Sequence, residues 1–266
     1  MAEEDNPWQK FLNRPNTDRG KTLGVAFLVA VACGVAVSTT AVSLRPRIET
    51  NIANQRQELM AAMLATLPGI GEILTEAGAD AVETMVINLD TGLVEPAMDP
   101  ASFDATAVAA SPETSTPLGR AEDLAGIGRR ENYAQVYVLR KDGELRLVVL
   151  PVYGNGYQST IRAYLALEPD LNTVAALTVF EQGETPGLGG RISEEAWQAQ
   201  WAGKQIADES GEIAIEVVRG SGTGPFQVDG VSGASVTGNA VTDMIHFWMG
   251  PRGFAPFLDN LREGKV

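Results

Sequence analysis

The sequence predicts an α+β protein: a single N-terminal transmembrane helix, then a mainly antiparallel sheet with helices packed to one side. Three observations carry this expectation. An uncharged apolar stretch of 23 residues spans 22–44. Alternating strand-like runs come in consecutive pairs joined by short turns between residues 134 and 182. The helix-like segments lie mostly outside those pairs, the order of an α+β chain rather than of repeated βαβ units.

The stretch TLGVAFLVAVACGVAVSTTAVSL (22–44) would measure about 34 Å as a helix, enough for a hydrocarbon core of about 30 Å. It is too long for the apolar region of a cleaved signal peptide. A buried core helix of this length would rarely lack a polar face. A transmembrane anchor fits best. Lys10, Arg14, Arg19 and Lys21 precede it, and Arg45, Arg47 and Arg56 follow. The small excess of positive charge before the span favours a cytoplasmic N-terminus, with the large C-terminal portion outside the cytoplasm. The expected organisation is therefore a cytoplasmic tail (1–21), a transmembrane helix (22–44), a juxtamembrane helix (45–68) and an extracytoplasmic domain (69–266).

Residues 48–66 lack Gly and Pro and carry apolar residues at helical spacing up to Pro68-Gly69, so a helix is expected there. TMVINLDTG (84–92) alternates and stops at a turn, and reads as a strand. The segment 96–130 is rich in Ala, Ser, Thr, Pro and Asp and reads as loops with one short helix. AQVYVLR (134–140) and ELRLVVLPV (144–152) flank Lys141-Asp142-Gly143, a strong hairpin signal. STIRAYLALE (159–168) and TVAALTVFEQ (173–182) form a second pair around Pro169-Asp170. SEEAWQAQWAG (193–203) predicts a helix capped by Ser193, with Glu194 and Glu195 in its first turn. EIAIEVVR (212–219) predicts a strand. VTGNAVTDMIHFWMG (236–250) and FAPFLDNLREG (254–264) predict two helices.

With 266 residues the chain can bury a real core. It carries 20 Lys and Arg against 34 Asp and Glu, for a net charge of −14. Lys10, Arg14, Arg19 and Lys21 balance Glu3, Glu4, Asp5 and Asp18, so the whole imbalance falls on residues 45–266. An acidic domain argues against non-specific nucleic-acid binding, which needs cations to neutralise phosphates. One Cys and one His exclude a disulfide framework, a Cys-based zinc site, an iron–sulfur cluster held by this chain alone and a multi-His metal site. Cys33 lies in the span and reads as a small apolar residue. The span holds no carboxylate, the usual mark of an intramembrane ion path, so any ion transport is expected to run elsewhere.

Acid–base sets are scarce. His246 sits among Ile245, Phe247 and Trp248 and reads as a packing residue. GETPGLGG (183–190) follows neither dinucleotide nor Walker spacing. On local grounds it is a flexible turn whose N–H groups can approach a ligand. In FQVDGVSGASVTGNAV (226–241), Ser232, Ser235 and Thr237 supply hydroxyls, Gly230 and Gly233 permit tight backbone geometry, and Ala234 leaves room. A helix should begin near Val236. The residues alone admit either an elaborate N-cap or a phosphate site at a helix start.

DGVSGAS (229–235) resembles the flavinylation motif Asp-x-x-Ser/Thr-Gly-Ala-Thr/Ser of FMN-binding domains. In that family a dedicated flavin transferase joins FMN through a phosphoester to the final hydroxyl. The resemblance implies Ser235 as that position, with Asp229, Ser232, Gly233, Ala234, Val236 and Thr237 around the cofactor. Most relatives end the motif in Thr; serine keeps the hydroxyl, and Thr237 is a nearby alternative acceptor. GKTL before the span, LALEPDLNTV (165–174), GETPGLGG (183–190) and FWMGPRGFAPFLDNL (247–261) are similar to the C subunits (NqrC) of the Na+-translocating NADH:quinone reductases. The G subunits of Rnf complexes share the flavin motif but generally lack this C-terminal extension. A non-redox membrane anchor or assembly module with a vestigial flavin site is the competing reading from another class.

What the resemblance implies is an electron-carrying subunit of a bacterial inner-membrane pump that oxidises NADH, reduces ubiquinone and moves Na+ outward. Its covalent FMN would take electrons from an intramembrane iron–sulfur centre of partner subunits and pass them to the FMN of the B subunit. The A, B, D, E and F subunits, the flavin transferase and membrane lipid are the implied partners. No catalytic acid–base residue and no metal ligand is expected on this chain. Thr185, Gly187 and Leu188, with Glu184 beside them, are expected to approach the isoalloxazine. Tyr157, Gln158 and Ser159 are further candidates.

Overall fold

The computed structural model describes residues 15, 18–35, 37–40, 42, 44 and 82–266. The chain divides into two compact units, residues 1–57 and 58–266. The expected juxtamembrane helix (45–68) and most of the expected tail (1–21) lie outside the described residues.

In the first unit, α1 (Arg19–Thr40) is long and apolar enough to cross a membrane, with an 18-residue stretch of mean hydropathy 2.1. It begins three residues before the uncharged run because Asp18 caps it. The Asp18 carboxylate accepts hydrogen bonds from the N–H groups of Gly20 and Lys21 at 2.7 and 3.1 Å, satisfying donors that have no partner in the helix. Inside the run, the Thr39 hydroxyl donates to the Val35 carbonyl at 2.5 Å, which satisfies a polar group without leaving the helix.

The second unit is built on five strands: β1 (Val82–Asn88), β4 (Tyr133–Lys141), β5 (Glu144–Asn155), β6 (Thr160–Leu167) and β7 (Val174–Glu181). They form one antiparallel sheet in the order β1-β4-β5-β6-β7. The β4–β5 hairpin pairs Lys141 with Glu144 across a two-residue turn. Asp142 and Gly143 both take positive φ, 55° and 80°, the conformation that makes Asp-Gly a hairpin signal. At the β6–β7 turn, Asp170 accepts from the N–H groups of Asn172 and Thr173 at 3.0 and 2.8 Å.

The segment between β1 and β4 is more ordered than the composition of 96–130 suggests. It contains a 3-10 turn (Pro100–Ser102), the expected short helix, α2 (Ala105–Ala110), and a small antiparallel ladder of β2 (Ser115–Pro117) with β3 (Arg129–Glu131). Two further expectations fail. The predicted helix 193–203 is broken into a 3-10 turn (Gly189–Ser193), the single turn α3 (Glu195–Gln198) and another 3-10 turn (Ala199–Trp201). Ser193 is therefore inside the preceding turn, and Glu194 precedes α3 without a side-chain cap bond. The tertiary reason is packing: Trp197 and Trp201 are both buried, edge to face at 5.8 Å. The predicted strand 212–219 shrinks to β8 (Glu216–Val218), because its parallel partner β9 (Gln227–Asp229) offers only three residues.

The helix α4 (Ser235–Met249) lies against β5. It buries Val241, Met244, Ile245 and Trp248, the i, i+3, i+4, i+7 spacing of one helix face. Gly154 of β5 permits the close approach, since a Cβ there would stand 3.0 Å from the Met244 Cβ. The Trp248 indole N–H donates to the Tyr153 carbonyl at 2.6 Å. Gly253 is forced by the same corner: a Cβ would sit 2.1 Å from the Trp248 carbonyl oxygen. The chain then enters α5 (Ala255–Arg262), which buries Phe257, Leu258 and Leu261. The opposite sheet face carries a smaller cluster of Leu139, Leu147, Val149, Tyr164 and Ala166. Both faces of central β5 are therefore apolar, so its middle reads as a continuous hydrophobic run.

One buried polar cluster crosses the core edge. Arg130 is 1% exposed, paired with Asp90 at 2.6 Å, and donates to the Arg252 carbonyl at 2.9 Å. Beside it the Tyr153 hydroxyl donates to the Glu131 carboxyl. Burial pushes the Glu131 pKa above its ordinary value of 4.5; the Tyr153 hydrogen bond and the charges of Arg130 and Arg162 oppose this without winning. A raised carboxyl favours the fold in its protonated form. Its contribution is complete below the unfolded value and is lost as pH rises through the folded one. Urea midpoints of wild type and Glu131→Gln from about pH 4 to about pH 8 should thus diverge, the wild type losing ground as pH rises. A gap independent of pH would refute this assignment.

Candidate functional site

The motif 229–235 lies where β9 turns into α4. The residue preceding α4 is Ala234 (φ −130°, ψ 45°), and no side chain caps the helix. The hydroxyls of this segment are thus free of capping duty. The first helical bond runs from the Gly238 N–H to the Ala234 carbonyl at 3.0 Å. The N–H groups of Ser235, Val236 and Thr237 have no hydrogen-bond partner among the described residues. Unpaired amides at a positive helix end attract an anion.

The three hydroxyl residues are not equivalent. Ser232 and Ser235 are exposed, whereas Thr237 is 2% exposed. The Thr237 hydroxyl donates to the Glu184 carboxylate at 2.6 Å. Ser235 lines a cavity of about 240 Å³ whose walls include Ser232, Gly233, Asn239 and, from the end of β8, Val218 and Arg219. Glycine shapes its floor: at Gly230 a Cβ would stand 2.2 Å from the Val218 carbonyl oxygen, and Gly233 takes φ +77°.

Asp229 is a structural member of the motif. Its carboxylate accepts from the Gly222 N–H at 2.7 Å, its carbonyl accepts from the Trp197 indole at 2.9 Å, and its N–H donates to Gln200 at 3.1 Å. These bonds pin the 220–225 loop and α3 to the strand that delivers the motif.

The other two expected segments meet α4 through Glu184. This carboxylate is 4% exposed. One oxygen accepts from the N–H groups of Gln158 and Ser159 at 2.9 and 3.2 Å; the other takes the Thr237 hydroxyl. Burial raises its pKa, but the bonds from Thr237, Gln158 and Ser159 outweigh burial and hold it below the ordinary value. The Ser159 hydroxyl accepts from the Gly183 N–H at 2.6 Å, a second tie between the loops. Thr185 closes its own turn by accepting from the N–H groups of Leu188 and Gly190 at 3.1 and 3.0 Å. Gly187 sits at φ +75°, and a Cβ on Gly233 would touch the Leu188 side chain at 3.1 Å. Tyr157, Leu188 and Val236 are 65%, 44% and 56% exposed, so each of the three joined segments presents an apolar side chain to solvent.

All the sequence-derived candidates therefore fall on these three segments or on the β9–α4 turn. Arg219, Gly220, Gly238 and Asn239 of the cavity wall were missed. Arg219 and Gly220 reach the cavity through the β8–β9 pairing, which leaves no local signal. His246 is placed by a bond of 2.7 Å between its Nε2 and the Ile215 carbonyl. Among the described residues no group of three or more His, Cys, Asp or Glu is arranged to hold a metal ion.

A glycine-floored cavity, an exposed hydroxyl, unpaired helix-start amides and adjacent apolar side chains suit a ligand with a phosphate at one end and a flat apolar body. Residues 156–250 match the FMN-binding domain family, which covers the Tyr157 loop, the Glu184 loop, the cavity and α4. Relatives extend over nearly the whole chain. The C subunit of the Na(+)-translocating NADH-quinone reductase of Pseudomonas aeruginosa is 38% identical over 261 residues, covering 96% of this chain and 99% of its own. That of Vibrio parahaemolyticus is 39% identical, covering 92% and 96%. The crystal structure of Shewanella oneidensis NqrC superposes with a TM-score of 0.71 at 37% identity, over 79% of this chain and 99% of that one. The chain belongs to the family of C subunits of Na+-translocating NADH-quinone reductases, an oxidoreductase family.

Proposed function

We propose that this chain is the covalently flavinylated electron-carrying subunit of a Na+-translocating NADH:quinone reductase, with FMN joined through its phosphate to Ser235. The observation that carries the reading is the difference between the hydroxyls: Ser235 is exposed on the cavity beside unpaired helix-start amides, and Thr237 is buried and bonded to Glu184. FMN, when bound, supplies the redox chemistry. The chain supplies the rest. Amides 235–237 would hold the phosphate, Arg219 would offset its charge, and Tyr157, Leu188 and Val236 would offer apolar surface to the flat ring.

A site this open suits exchange of electrons with neighbouring proteins. The carrier stands between an intramembrane iron–sulfur centre of partner subunits and the FMN of the B subunit, in a complex with the A, B, D, E and F subunits. α1 anchors it in the inner membrane with the N-terminus cytoplasmic and the flavin domain periplasmic. Covalent attachment keeps the cofactor from diffusing away in that compartment. Na+ crosses through other subunits, since the span carries no carboxylate.

The test is the mass of the tryptic peptide containing Ser235, from cells that also express the flavin transferase. The peptide is expected to carry one FMN. An unmodified peptide, from cells whose transferase modifies a known substrate, would sink the flavoprotein reading and favour an anchor or assembly role.

A further inference from the structure

Two glycines surround the Glu184 carboxylate. A Cβ at Gly156 would come within 2.6 Å of one carboxylate oxygen. A Cβ at Gly189 would come within 2.9 Å of the other, and within 2.5 Å of the Thr237 hydroxyl. Backbone is thus packed against the carboxylate from both loops, and the 156–159 loop donates two N–H groups to it. A further donor comes from the first turn of α4, 53 residues downstream. One side chain therefore bonds to both of the other segments at once.

We propose that Glu184 is a positioning residue of the flavin site: it latches the 156–159 loop and the 183–190 loop to the first turn of α4 before flavin arrives, and by holding the Thr237 hydroxyl it leaves Ser235 as the one exposed hydroxyl of that turn. This deepens the reading of Ser235 as the tether and rests on it for the part that concerns flavin. Both carboxylate oxygens of Glu184 are already bonded to protein donors, so its role in the site is one of positioning rather than catalysis. It acts by setting where Tyr157 and Leu188 stand relative to Ser235. A preformed cradle holds the ring without first having to order two loops. With the latch cut, the tether position remains but the walls are free to move.

The experiment uses the full-length protein co-expressed with the flavin transferase, as wild type, Glu184→Ala, Glu184→Gln and Leu258→Ala. Leu258 is buried on α5, outside the three latched segments, and its truncation lowers stability for comparison. Two readouts report on the flavin: the fraction of Ser235 peptide carrying FMN, and the fluorescence anisotropy of the tethered flavin. A third, amide exchange at Gln158 and Ser159, is read in the flavin-free protein. Glu184→Ala is expected to speed that exchange about tenfold, lower flavin occupancy about threefold and drop the anisotropy towards that of a freely rotating ring. Glu184→Gln, whose carbonyl can still accept the two loop N–H bonds but not the Thr237 hydroxyl, should recover part of each. Leu258→Ala should leave occupancy and anisotropy at wild-type values despite its lower melting temperature. Unchanged exchange in Glu184→Ala would overturn the latch. So would losses of occupancy and anisotropy in Leu258→Ala equal to those in Glu184→Ala, since they would trace to stability alone. If wild type carries no FMN at Ser235, the flavin reading fails, and the exchange result still decides whether the latch exists.

Discussion

Ser235→Ala, co-expressed with the flavin transferase, is expected to fold normally and to carry no covalent flavin. The effect should be all or none, because the substitution removes the only exposed hydroxyl on the first turn of α4. It should cost little stability, since Ser235 is exposed and caps nothing. Thr237→Val is the informative partner. It keeps the shape of the side chain but deletes the donor that faces Glu184 at 2.6 Å. The unmatched carboxylate should cost about 1–3 kcal/mol, while FMN remains on Ser235. Intact-protein mass and urea unfolding separate the two outcomes. Flavin found on Thr237 in the Ser235→Ala protein would show that the buried hydroxyl reaches the transferase, and the assignment would move there.

Trp248→Ala should produce the largest loss of stability of any single truncation in α4. The side chain is fully buried. It contacts the rings of Tyr153 and Phe254 at centroid distances of 5.1 and 5.3 Å, and its indole N–H bonds β5. Its own carbonyl accepts the Phe254 N–H at 2.6 Å, so it also sets the corner into α5. Truncating a buried Trp costs about 3–5 kcal/mol, against a total of about 5–15 kcal/mol for a typical domain. The urea midpoint should fall accordingly with little change in slope. A loss below about 1 kcal/mol would mean that α4 is held to the sheet by other contacts.

Much of the fold was legible because the relevant signals are local. Asp142-Gly143 demands positive φ and makes the hairpin wherever two alternating runs flank it. The uncharged run 22–44 needs no partner to declare a long apolar helix, although Asp18 moved its start to Arg19. The failures share one cause. Ser193-Glu194-Glu195 has the composition of a helix start, yet burial of Trp197 and Trp201 breaks the segment into single turns. EIAIEVVR alternates over eight residues, yet the length of a strand depends on its partner, and β9 provides three. In 96–130 the β2–β3 ladder joins residues too far apart for periodicity to reveal.

The site divides along the same line. The motif 229–235, the start of α4 and the candidate loops 157–159 and 184–188 follow from residue types at fixed spacing, because turn geometry and helix starts depend on near neighbours. That Arg219 walls the cavity, that Asp229 serves the scaffold, and that Thr237 is committed while Ser235 is exposed depend on strand pairing and packing over tens of residues. Glu184 shows the difference most clearly. Its sequence neighbourhood is a Gly-rich turn that suggests a ligand contact, but the donors that surround its carboxylate come from 26 and 53 residues away. A buried carboxylate takes its role from whatever donors the fold brings to it, and no local pattern records which ones those are.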